Sequence, residues 1–144
     1  MMRRVIAQES KLVGAPPEKV YRIFADPRHH AHILAQCISD YSSCPDGTVR
    51  CRIEFGGVKR DYHFSRQEVE PNRLFCETDL KTKIVTEFIC EPHAEGTLAT
   101  IRVDYQAASS LLGLIESMVA PSFLRKMYDE ELTKLARYAL VATV

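Results

Sequence analysis

Between Thr48 and Phe55 the chain alternates without a break. Val49, Cys51, Ile53 and Phe55 are apolar, and Thr48, Arg50, Arg52 and Glu54 stand between them. A period of two sends neighbouring side chains to opposite faces, so the stretch predicts a strand with one dry face. Gly56-Gly57 suits a tight hairpin turn. Beyond it Val58, Tyr62 and Phe64 resume the dry face, and Lys59, Asp61, His63 and Ser65 take the other. Further strands are predicted over 3–13, from Ile38, over 73–80, 84–91 and 97–106. The breaks between them are Pro71-Asn72, Lys81-Thr82-Lys83 and Pro92-His93-Ala94-Glu95-Gly96. In the last strand Ala99, Ile101, Val103 and Tyr105 face one way and Thr100, Arg102 and Asp104 the other. Such strands predict an antiparallel meander with a dry and a wet face.

Helical spacing appears in three places. Pro16 or Pro17 suits a first helical position, Glu18 favours the positive helix end, and Val20, Ile23 and Phe24 form a buried stripe. Asp26-Pro27 repeats the start signal for a second helix running to about Gln36. A long amphipathic helix is predicted from about Ser110 to Ala142, capped by Ser109 or Ser110 and kinked or split at Pro121. Beyond the proline, Leu124, Tyr128, Leu132, Leu135 and Ala139 make the apolar stripe, and that segment spans ~30 Å. The order is β-α-α-β6-α. This is an α+β chain whose curved sheet of about seven strands wraps one long helix.

Composition narrows the partners. A single domain over 1–144 would bury roughly 70% of its unfolded surface without a disulfide or metal. Lysine plus arginine and aspartate plus glutamate stand at 19 each, so there is no basic field for nucleic acid. No apolar run approaches the ~20 residues of a membrane span. The start has the charge of a secretory leader but no apolar stretch after it, which predicts a cytoplasmic protein. Cys37, Cys44, Cys51, Cys76 and Cys90 show no two-residue spacing and read as free thiols.

Several short motifs carry a resemblance. Val13-Gly14-Ala15-Pro16-Pro17-Glu18-Lys19-Val20-Tyr21 resembles the strand-to-helix opening of the START-like, polyketide cyclase and plant-allergen superfamily. Asp26-Pro27 is similar to that superfamily's second-helix start, Glu91-Pro92 with Gly96-Thr97 to its last hairpin, and the closing helix has its internal proline. One departure stands out: the tryptophan that many relatives carry in the second helix is absent, so the gate around Ile33-Leu34 is built differently. The resemblance implies the helix-grip fold, with a cavity between sheet and last helix that takes lipids, quinones or polyketide-like molecules. It implies no cofactor.

On the face expected to look inward, Arg60 is the leading candidate for chemistry. A buried guanidinium needs a carboxylate partner or a polar ligand group. Tyr62 and Tyr105 offer hydroxyls, Thr86 interrupts an apolar position, and Phe64, Cys51 and Met118 complete the expected ligand-binding set. An internal ion pair at Arg60 and ordinary core tyrosines are the structural alternative. His29, His30 and His32 are read as a solvated first turn, because no third ligand follows at metal spacing. Asp61, Glu77, Asp79 and Asp104 are read as outward charge pairs. The leading expectation is a carrier of an apolar molecule with one polar end. A cyclase or dehydratase using Arg60 and a tyrosine is the alternative, and an interaction module with a filled core the third. Neutral charge and an open sheet edge permit a homodimer.

Overall fold

The computed structural model describes the backbone of residues 3–106 and 121–144 and the side chains of residues 5–104 and 121–144. The elements are β1 (Arg3–Val13), α1 (Pro17–Ala25), α2 (Pro27–His30), β2 (Ile38–Ser43), β3 (Val49–Phe55), β4 (Val58–Glu70), β5 (Leu74–Asp79), β6 (Val85–His93), β7 (Gly96–Gln106) and α3 (Pro121–Val141). The strands form one antiparallel sheet in the order β1-β7-β6-β5-β4-β3-β2. The predicted alternation holds, and Gly56 and Gly57 both take positive φ in a two-residue turn joining Phe55 to Val58. This is the α+β helix-grip arrangement that the hydrophobic pattern and the motifs predicted.

One face of the sheet is covered by the helices. In α1, Val20, Tyr21, Ile23 and Phe24 are buried. Phe24 packs on Phe88 of β6 at 4.9 Å between ring centroids, and Tyr21 meets Phe75 of β5 edge-on at 6.2 Å. Along α3 the expected stripe is buried, with Met127 and Glu131 added to it. The Gly96-Thr97 motif has a physical meaning. A Cβ on Gly96 would sit 2.3 Å from the Val13 carbonyl oxygen, and Thr97 Oγ1 donates to the Ala15 carbonyl at 2.7 Å. The last hairpin thereby clamps the turn from β1 into α1.

A buried arginine locks α1 to the sheet, and it is Arg66, not Arg60. Arg66 Nε donates to Glu77, its cross-strand partner, at 2.9 Å. Its other two nitrogens donate to the carbonyls of Phe24 and Ala25 at 2.7 and 2.8 Å, and its carbon lies 4.7 Å from the Phe75 ring centroid. The last carbonyls of a helix lack intrahelical donors, and the guanidinium supplies them. Arg60 lies on the exposed end of β4, because that end projects beyond the last β5 residue.

Three other expectations are corrected. Glu77 and Asp79 share the inward face of β5 with Phe75, and Asp104 is also buried. Burial selects that register, since the opposite one would expose Phe75. The second helix stops at His30 because the chain tightens: His32 and Ile33 bond three residues back, and Ala35 and Gln36 donate to Glu131 and Glu130 of α3. The connection from β6 to β7 is only Ala94-Glu95, with Pro92 inside the strand. The helix segment predicted before Pro121 lies outside the described residues.

Arg66→Met should destabilise the fold by about 3–5 kcal/mol, because it strands a buried carboxylate. The double variant Arg66→Met/Glu77→Leu should recover part of that loss in urea denaturation. Additive losses would show that the two residues do not act as a pair.

Candidate functional site

Three concavities share walls, and the inner two lie between the sheet and α3. The outermost is a groove of about 640 Å³ lined by Arg50, Arg60, Asp61, Tyr62, His63, Asp79, Leu80, Lys81 and Thr82. It exists because β4 overhangs β5: Phe64 pairs with Asp79, Leu80 N–H bonds the His63 carbonyl at 3.0 Å, and among the described residues no strand flanks the earlier part of β4 on that side. Tyr62 and Asp79 lead into an apolar waist of about 70 Å³, walled also by Ile53, Phe64, Ile84, Thr86, Val103, Leu124, Met127 and Tyr128. Five of these residues, Ile53, Phe64, Thr86, Met127 and Tyr128, also line an inner chamber of about 50 Å³. That chamber ends in His30, Tyr41, Cys51, Glu77 and Glu131.

The inner end is polar and buried. Glu131 is 2% exposed, and its Oε2 accepts the Ala35 N–H at 3.1 Å. Burial, which disfavours the charged form, pushes its carboxyl up to about 8 even though the Ala35 bond pulls the other way. At neutral pH the acid is therefore mostly protonated and carries a donor. The Tyr41 hydroxyl is buried with no hydrogen-bond partner among the described residues, and burial raises its phenol far above the usual range. His30 stacks on Tyr41, with centroids 5.9 Å apart, and its Nδ1 lies 2.9 Å from the Phe24 carbonyl oxygen. A carbonyl only accepts, so Nδ1 holds the proton, and burial keeps the ring neutral with Nε2 as its acceptor. Cys51 is pushed up to about 12 by burial, which leaves it a thiol and a poor nucleophile. Tyr128 bonds Thr86 across the cavity, with its phenol raised by burial.

Of the candidates read from the sequence, Arg60 and Tyr62 line the groove, Tyr62 and Phe64 the waist, and Phe64, Cys51 and Thr86 the inner chamber. The side chain of Tyr105 and all of Met118 lie outside the described residues. His30, Tyr41, Asp79 and Glu131 are additions. Glu131 carried a signal, since it stands three residues after Tyr128 and four before Leu135, inside the apolar stripe. Of the histidine cluster, His30 is buried rather than solvated. His29 Nδ1 meets the Tyr138 hydroxyl at 2.7 Å, and His32 stacks on the Tyr138 ring, so these two fasten the turn to α3.

The folded chain holds the Glu131 proton more tightly than the unfolded chain. Its contribution to stability is therefore complete below about pH 4.5, its ordinary value, and is lost as pH rises toward about 8. Across that window wild-type stability should fall, relative to Glu131→Gln, by on the order of a few kcal/mol in urea denaturation. Parallel stability curves would show that the carboxyl titrates normally.

Solved structures share this architecture at low identity. KanY superposes with a TM-score of 0.80 at 20% identity, covering 97% of this chain and 99% of its own. The protein TTHA0849 of Thermus thermophilus gives 0.69 at 16% identity, with 96% and 99% covered. The Zhui aromatase/cyclase of Streptomyces sp. R1128 gives 0.68 at 18% identity, with 96% and 94% covered. Identities this low establish a common fold and leave the chemistry to the site. No curated protein matches the sequence. The sequence model of one family, however, matches residues 4–140, and the chain belongs to that family, described as polyketide cyclase / dehydrase and lipid transport.

Proposed function

We propose that the chain binds an elongated, largely apolar small molecule, with one end in the groove and a carbonyl or hydroxyl tip in the inner chamber. The observation that carries this reading is the buried Tyr41 hydroxyl, without a partner among the described residues, in the same chamber as the protonated Glu131 carboxyl. Leaving a buried hydroxyl unsatisfied costs about 1–3 kcal/mol, and a ligand oxygen reaching the chamber would remove that cost. Volume decides the pose. Ligand sites typically measure about 300–1,000 Å³. The waist and chamber, at about 70 and 50 Å³, hold only a tip, and the 640 Å³ groove must take the body.

Charge favours an acidic group at the groove end. Asp61 is engaged by Arg52 at 2.8 Å, and Asp79 accepts from Lys81 N–H and the Thr82 hydroxyl at 3.0 Å each. The groove wall carries three cations, Arg50, Arg60 and Lys81, against these two carboxylates, and Asp61 is matched by Arg52. The family description, which couples lipid transport with cyclisation and dehydration, supports a cavity of this kind. A second reading, a cyclase or dehydratase, draws on His30 as a neutral base and Glu131 as an acid in one buried chamber, and on the aromatase/cyclase among the structural neighbours.

Native mass spectrometry of the gently purified protein tests binding. The expected result is a discrete adduct of small-molecule mass that is lost in Met127→Phe, which fills the waist. An adduct unaffected by that change would place the ligand elsewhere, and a clean apo mass with no naphthalene-probe binding would favour a filled core. With 2-naphthoate and naphthalene as probes, Arg60→Leu should weaken the acid by about tenfold and leave the hydrocarbon unchanged, a difference of ~1.4 kcal/mol. Equal effects on both would remove Arg60 from the site. Tyr41→Phe should weaken a carbonyl- or hydroxyl-tipped ligand by up to about tenfold in a carrier, whereas an enzyme using that hydroxyl would also lose turnover by ~10²-fold or more.

A further inference from the structure

Away from the inner chamber, the connection between β2 and β3 brings together three kinds of metal donor. Cys44-Pro45-Asp46-Gly47-Thr48 folds back on itself: Cys44 N–H bonds the Thr48 carbonyl at 2.8 Å and Gly47 N–H the Cys44 carbonyl at 3.0 Å. Gly47 takes φ +87°, a conformation that closes the turn and that few other residues adopt. His63 reaches the same place from β4, where it pairs with Arg50 of β3. Donor atoms of Cys44, Asp46 and His63 all lie within 4.8 Å of one another. Thr48 Oγ1 ties two of them together, at 2.6 Å from both Asp46 Oδ1 and His63 Nε2.

We propose that Cys44, Asp46 and His63 form a divalent transition-metal site of the zinc type. Bonds of ~2.0–2.3 Å set ligand atoms of a tetrahedral zinc roughly 3.5 Å apart, so side-chain rotation of about an ångström completes the set. One sulfur, one imidazole nitrogen and one carboxylate oxygen suit Zn²⁺ or Co²⁺ and fit poorly with the all-oxygen preference of Mg²⁺ and Ca²⁺. As the metal binds, the Cys44 thiol proton goes to solvent, and thiolate and carboxylate together balance the dication. Three protein ligands leave the fourth position for water or a small anion. His63 also lines the large groove, so that open position lies at the groove's rim. The sequence concealed this site because His63 is distant along the chain, and only the pairing of β3 with β4 brings it to the turn.

The test uses the full chain, stripped with a chelator and titrated with Co²⁺ alone. The site predicts one ion per chain, a thiolate-to-cobalt charge-transfer band, visible bands of tetrahedral intensity, and displacement by Zn²⁺. Cys44→Ser should abolish the charge-transfer band. Asp46→Asn and His63→Gln should each weaken binding by at least about tenfold. Circular dichroism of the three variants should match the parent, since all three changes lie at the sheet surface. Absence of the band in the parent would overturn the site. So would a band that survives Cys44→Ser, which would come from another thiol, or one indifferent to Asp46→Asn and His63→Gln, which would mark Cys44 acting alone.

Discussion

The Arg66 guanidinium holds the molecule's inner architecture in place. It pairs with Glu77 across two strands and supplies donors to the last carbonyls of α1, so sheet and helix cannot shift independently. The Phe24 carbonyl also takes the proton of His30 Nδ1, which sets the tautomer of the one buried histidine among the described residues. A charge this deeply buried is tolerated only because every nitrogen shown has a partner. The polar end of the cavity is built on that arrangement, since Glu77 and His30 both line it.

The same accounting separates polar groups paired within the protein from those that are not. Arg66, Glu77 and Thr97 find partners inside the protein. Tyr41 finds none among the described residues, and Glu131 escapes its charge by keeping its proton. A chain selected for stability alone would fill that chamber with apolar side chains. The apolar waist shares walls with that polar chamber and with the charged groove.

Fold and family do not decide among carrier, cyclase and dehydratase, because one architecture supports all of them. What distinguishes this chain is local. After α2 the chain makes a short turn, in which Ala35 and Gln36 donate their N–H groups to acids on α3. The turn is thereby tied to the helix that roofs the cavity, and Tyr138 with His29 and His32 strengthens the tie. Opening the roof means breaking those bonds together.

Periodicity by itself determined the strands, the turn at Gly56-Gly57, the starts of α1 and α2 and the buried stripe of α3, because these are local consequences of side-chain spacing. It also placed Phe64, Cys51 and Thr86 on strands whose inner face proves to line the cavity. It predicted the wrong burial for Arg60, Glu77 and Asp79, because alternation tells which residues share a face but not where a strand loses its neighbour or which polar groups find partners. Only tertiary structure decided those points. The overhang of β4 beyond β5 put Arg60 in solvent, and the cross-strand meeting of Arg66 with Glu77 and two helix carbonyls made a buried charge tolerable. The packing of α3 over the sheet raised Glu131 to a proton-holding acid. Each depends on groups distant in sequence meeting in a low-dielectric interior, where partner and burial outweigh residue type.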